Sequence, residues 1–160
     1  MTTVTAAAVL AVGLVGCSAP EDATAVADAS TQQVSAVKDS SNLDTVTTFY
    51  EDFFNGHDPA AADVIAQDYI QHNPELPDGR APFVDFFTDY FEQNPAYRSE
   101  IVRTAEDGDL VYLHVHSTNG PDDRGQAVVD IFRVVDGEIT EHWDVIQDVP
   151  ATSANSNTMF

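Results

Sequence analysis

Asp130, His142 and Asp144 fall in one short stretch near the C-terminus, on either side of an Asp136-Gly137 turn signal. Two carboxylates and an imidazole that converge on an apolar hollow suit proton transfer to and from carbon or a carbonyl oxygen. Low dielectric moves a carboxyl group toward working pH, where it can both donate and accept. Asp130 and His142 on neighbouring strands could equally form an ordinary cross-strand polar pair, and spacing alone leaves both readings open. His72 ends an extended stretch just before the Asn73-Pro74 turn. There its ring could orient a substrate or simply bond the loop backbone. His114-Val115-His116 puts two imidazoles on one strand face, a spacing a zinc site could use. No other Cys or His element supports one, so no metal and no cofactor is expected.

These residues need elements to position them. Val46, Phe49, Tyr50, Phe53 and Phe54 recur at helical spacing after Asn42 and Asp44, either of which could cap, and Gly56 ends the run. Pro59 opens a short helical stretch over 60–66. A third helix carries the aromatic stripe Phe83, Phe86, Phe87, Tyr90 and Phe91, and Asn94-Pro95 stops it. The remainder reads as strands over 98–106, 110–118, 128–135 and 138–146. Within the second of these, Val111, Leu113 and Val115 alternate with Tyr112, His114 and His116. Three helices followed by an antiparallel meander predict an α+β domain with the helices packed on one face of the sheet.

The register of the last hairpin decides which polar groups meet. A two-residue Asp136-Gly137 loop sets 130 opposite 143 and turns Asp130 and Asp144 to opposite faces. A three-residue loop, Val135-Asp136-Gly137, sets 130 opposite 142 and 128 opposite 144. Asp130, His142 and Asp144 then share one face. This register is expected, since the alternative scatters polar side chains over both faces. Val129, Ile131, Trp143 and Val145 would form an apolar outer face that a second subunit would cover. Phe49, Phe53, Phe83, Phe87 and Phe91 read as core. Phe53 and Phe87, with His142 and His116, are the candidates for contact with a bound substrate.

The chain has 160 residues, and its net charge of −21 comes from 27 Asp plus Glu against six Lys plus Arg. Such a field repels phosphate backbones and excludes nucleic acid as a partner. The acids are dispersed over the surface, as adaptation to high salt would require. Residues 6–16 form an apolar run too short to span a bilayer but matching the core of an export signal. Leu14-Val15-Gly16-Cys17 follows the lipoprotein lipobox pattern, with the only cysteine of the chain at its end. Residues 1–17 are therefore expected to be an export signal with a lipidation site at Cys17. Residues 18–42 would be a polar tether, 43–150 the folded domain and 151–160 a polar tail. On this reading the protein is exported and held at the cell envelope by its lipid alone.

An ordered set of segments resembles a known family. These are Tyr69-Ile70-Gln71-His72-Asn73-Pro74, Asp109-Leu110-Val111 running into His114-Val115-His116, Val129-Asp130-Ile131-Phe132-Arg133, Asp136-Gly137-Glu138-Ile139, and Glu141-His142-Trp143-Asp144-Val145-Ile146-Gln147. Together they resemble the SnoaL-like polyketide cyclases over nearly all of 43–150. The resemblance implies the cone-shaped nuclear transport factor 2-like fold, a strongly curved antiparallel sheet wrapped around helices, oligomeric through the outer sheet face. In the characterised cyclases an aspartate on the last strand is the general acid/base of an intramolecular aldol closure, without metal or cofactor. By position that role passes to Asp144. Asp130 stands where the characterised enzyme has histidine on the preceding strand.

Two functions are therefore expected of this domain. One is acid/base chemistry on a small carbonyl-containing molecule, with Asp144 moving the proton while Asp130 and His72 orient the substrate. The other is non-catalytic binding of a small ligand in the same pocket.

Overall fold

The computed structural model describes residues 41–160. The expected export signal, Cys17 and the tether up to residue 40 lie outside the described residues. Helix α1 (Asn42–Tyr50) is capped by Ser41, whose hydroxyl accepts from the Asp44 N–H at 3.0 Å. The cap is therefore neither Asn42 nor Asp44. Asn42 is already helical and reaches across to the Gly108 carbonyl at 3.2 Å. The helix widens into a π-helical turn, Glu51–Asn55, and a 3-10 turn, Pro59–Val64, follows. Helix α2 spans Arg80–Gln93.

The strands are β1 (Ile65–Gln71), β2 (Tyr97–Asp107), β3 (Leu110–Asn119), β4 (Gln126–Val135) and β5 (Glu138–Asp148), in the sheet order β1-β5-β4-β3-β2. Strands β2 to β5 form the expected antiparallel meander. The sheet as a whole is mixed, because β1 pairs parallel with β5. The helix expected over 60–66 accordingly stops at Val64, and Ile65 and Ala66 are buried as strand residues.

Val111, Leu113 and Val115 point inward as the alternation predicts, beside Val128, Phe132 and Val134 of β4 and Ile139 of β5. The helices cover this face with aromatic rings. Phe53 sits at their centre, its ring centroid 5.2 Å from Phe83, 5.4 Å from Phe49 and 5.6 Å from Phe91. On the opposite face Val129, Val135 and Val145 are exposed.

The closing hairpin departs from the expected register. Its loop is the two-residue Asp136-Gly137, with φ of 52° and 83°. Both central residues are left-handed, as a tight hairpin turn of this type requires. A bulge then leaves Thr140 unpaired, and beyond it Phe132 opposes His142 and Asp130 opposes Asp144. The expected pairing of 130 with 142 is thus wrong by two residues, yet the shared face is right. Inserting one residue flips the side-chain alternation and turns His142 and Asp144 inward with Asp130.

Residues 151–160 form no helix or strand. Their last ring, Phe160, stacks on His116 at 4.1 Å and His114 at 5.7 Å, on the outer side of β3.

Candidate active site

Between α2 and the inner face of β4 and β5 lies a cavity of about 210 Å³. Phe54, Phe83, Phe86, Phe87 and Tyr90 line one side of it, and Asp130, His142 and Asp144 line another. One ligand-capable atom from each of these three polar residues lies within 4.8 Å of the others. The bulge at Thr140 makes this convergence possible, since without it Trp143 would take the inward place.

The hydrogen bonds around the trio set its proton inventory. Gln71 Oε1 accepts from the Asn73 backbone N–H at 2.9 Å, which identifies that atom as the carbonyl oxygen. His142 Nδ1, 3.1 Å from the same oxygen, is therefore a donor. His142 Nε2 stands 3.0 Å from Asp130 Oδ1, and Tyr50 donates to Asp130 Oδ2 at 2.8 Å. Burial first, and then the charge of Asp130, push the Tyr50 phenol well above its ordinary value, so it remains a donor. With Nδ1 carrying a hydrogen, the Nε2–Oδ1 contact needs one further proton. Asp130 and His142 thus share one proton and are together uncharged.

Asp144 is tied differently. Asn73 Nδ2 donates to its Oδ2 at 2.7 Å, and Asn73 is itself oriented because its Oδ1 accepts from the Glu75 N–H at 2.9 Å. One carboxylate oxygen is thereby held, and the second is left to exchange a proton. Part of the cavity lining is hydroxyl-rich. Tyr97 and Ser117 belong to it, and the Ser99 hydroxyl is 2.8 Å from that of Tyr97 and 3.0 Å from that of Ser117.

Of the residues expected at the site, Asp130, His142, Asp144 and Phe87 meet at the cavity. Phe53 does not line it. It is fully buried in the ring cluster, and its neighbour Phe54 takes the lining position. His72 is directed to the opposite side, where its ring stacks on Trp143 at 4.6 Å and its Nε2 bonds Glu141 Oε1 at 2.8 Å. His116 also lies outside the cavity, bonded to the Arg124 carbonyl at 2.9 Å. Tyr50, Gln71 and Asn73 were not anticipated from sequence. Strand alternation carried a signal for two of them. Tyr69 is buried and Ile70 exposed, so Gln71 and Asn73 follow Tyr69 inward while His72 follows Ile70 outward.

Asp130, His142 and Asp144 also have a spacing that a divalent cation could bridge. Such an ion would have to replace the contact between His142 Nε2 and Asp130 Oδ1 with metal bonds. Neither His114 nor His116 is arranged with a third ligand among the described residues.

Solved structures share this architecture. A loop-truncated variant of IdmH is 24% identical, covering 66% of this chain and 91% of its own with a TM-score of 0.55. A candidate polyketide cyclase from Bacillus cereus is 21% identical over 66% of this chain and 73% of its own, with a TM-score of 0.57. A candidate ketosteroid isomerase from Kribbella flavida is 20% identical over 71% and 83%, with a TM-score of 0.58. At these identities the likeness is one of fold. No curated protein matches the chain. The model of the SnoaL-like domain matches residues 46–142, a span that runs from the first buried residue of α1 to the site histidine, and the chain belongs to that family.

Proposed function

We propose that this domain is an acid/base enzyme acting without a cofactor on a small carbonyl-containing molecule, by aldol cyclisation, isomerisation or a related lyase reaction. The observation that carries the reading is the meeting of Asp144 with the Asp130–His142 pair at one end of an aromatic-walled cavity. Asp144 takes the proton from the carbon next to the carbonyl, its other oxygen held by Asn73. The proton shared by Asp130 and His142 is then available to the oxygen on which negative charge develops. Tyr50 and Gln71 hold that pair in place from either side. His72 has no part in this scheme.

Proton abstraction next to a carbonyl is visible without knowing the natural substrate. Small ketones and aldehydes incubated with the protein in heavy water should gain deuterium at the adjacent carbon, followed by NMR. Asp144→Asn should lower that rate by about 10²–10⁴-fold, the usual contribution of a positioned base, with unchanged thermal melting. Undiminished exchange in the variant would remove Asp144 from the role, and no exchange above buffer across the panel would count against catalysis. Pairing of two copies through the outer face around Trp143 and Val145 is part of the same proposal.

A further inference from the structure

The charges around the cavity are one-sided. Glu75, Asp130 and Asp144 line it, and among the described residues no Lys or Arg does. Every arginine is engaged elsewhere: Arg80 at Asp63, Arg98 at the Tyr97 carbonyl, Arg103 at His114, Arg124 at the Val149 carbonyl, and Arg133 between Asp109 and Glu141. The one basic lining residue, His142, is matched by Asp130, with which it shares a proton. Asp144 and Glu75 therefore remain as the unmatched acidic side chains of the lining. The same lining includes the rings of Phe54, Phe83, Phe86, Phe87 and Tyr90.

From this we infer that the cavity selects small organic cations, an amine carried on a hydrocarbon body. A carboxylate or phosphate on the ligand would meet the like charges of Asp144 and Glu75 with no Lys or Arg of the described residues beside them. An ammonium group would find Asp144 and Glu75 as charge-assisted acceptors and aromatic rings whose quadrupoles favour cations. The remaining hydrocarbon is accommodated by the phenylalanines of α2. The cavity has room for a body of about one ring with a short arm. The inference rests on the reading that this cavity is the ligand site and is independent of whether turnover occurs.

Three probes of the same shape separate the charge from the shape: phenethylamine as the cation, 2-phenylethanol as the neutral form and 3-phenylpropanoate as the anion. Calorimetric titration at neutral pH and moderate salt should show the amine binding at least tenfold tighter than the alcohol, with no saturable binding of the acid. In a Glu75→Gln, Asp144→Asn double variant the amine should fall to the level of the alcohol measured on the same variant. A preference that survives in the double variant would belong to the overall charge of the protein and would overturn the inference. Equal binding of alcohol and amine to the wild type would overturn it too, while leaving the cavity a ligand site. Binding of none of the three would remove the shared premise that the cavity takes a ligand of this size.

Discussion

Replacing Asp130 by Asn and by Ala tests the shared proton directly. In the wild type Asp130 accepts from the buried Tyr50 hydroxyl at 2.8 Å and meets His142 Nε2 at 3.0 Å. An asparagine of the same shape can keep both contacts. Its carbonyl accepts from Tyr50 and its amide donates to the unprotonated Nε2 of a neutral ring, which still donates from Nδ1 to Gln71. Asp130→Asn should therefore cost no more than about 1 kcal/mol. Alanine leaves the Tyr50 hydroxyl and His142 Nε2 both without a partner, at about 1–3 kcal/mol each. Water in the adjoining cavity recovers part of that, so about 3 kcal/mol is expected. This is a large share of the roughly 5–15 kcal/mol that holds a domain folded. It corresponds to a fall of about 12 °C in melting temperature at roughly 4 °C per kcal/mol. Urea unfolding followed by Trp143 fluorescence measures both variants, and histidine nitrogen NMR should report a neutral ring with its proton on Nδ1 in Asp130→Asn. An Asn variant as unstable as the Ala variant would refute the shared-proton account, as would a charged His142 ring in the Asn variant.

Three further outcomes are expected. Gly125 has φ of 72°, and a Cβ there would stand 2.0 Å from the Ser117 carbonyl oxygen, so Gly125→Ala should cost about 3 kcal/mol or more by denaturant unfolding. Hydrogen bonds from Arg133 first and His72 second hold Glu141 below the ordinary carboxylate range. The stabilisation it contributes is complete above pH 4.5 and is lost as the pH falls through its lowered value. Glu141→Gln should accordingly flatten the dependence of melting temperature on pH below that point, and an unaltered acid limb would contradict the pairing. Light scattering should find a dimer that Val145→Lys, at a site 68% exposed, converts to monomer without loss of fold. A monomeric wild type at micromolar concentration would end the proposal of pairing through that face.

Periodicity and turn chemistry were enough to place the three helical segments and the four meander strands, because each depends on near neighbours in the chain. The aromatic runs at helical spacing, the stop at Asn94-Pro95 and the alternation of Val111, Leu113 and Val115 needed no distant partner to be legible. Even the common face of Asp130, His142 and Asp144 could be reasoned out, since the apolar residues between them suit only one parity. Other features required the tertiary structure. The bulge at Thr140 is a property of two strands pairing, and nothing in Glu138-Ile139-Thr140-Glu141 alone says which residue will be left over. The edge strand β1 joins the sheet only because β5 exposes an edge to it, and that junction brings Gln71 and Asn73 to the site and takes His72 away. Tyr50 reaches Asp130 from 80 residues away, a separation at which local pattern carries no information. The sequence supplied the chemically able side chains. Their selection was decided by long-range pairing, because a hydrogen bond formed between distant segments depends on where the backbone of each has already been placed.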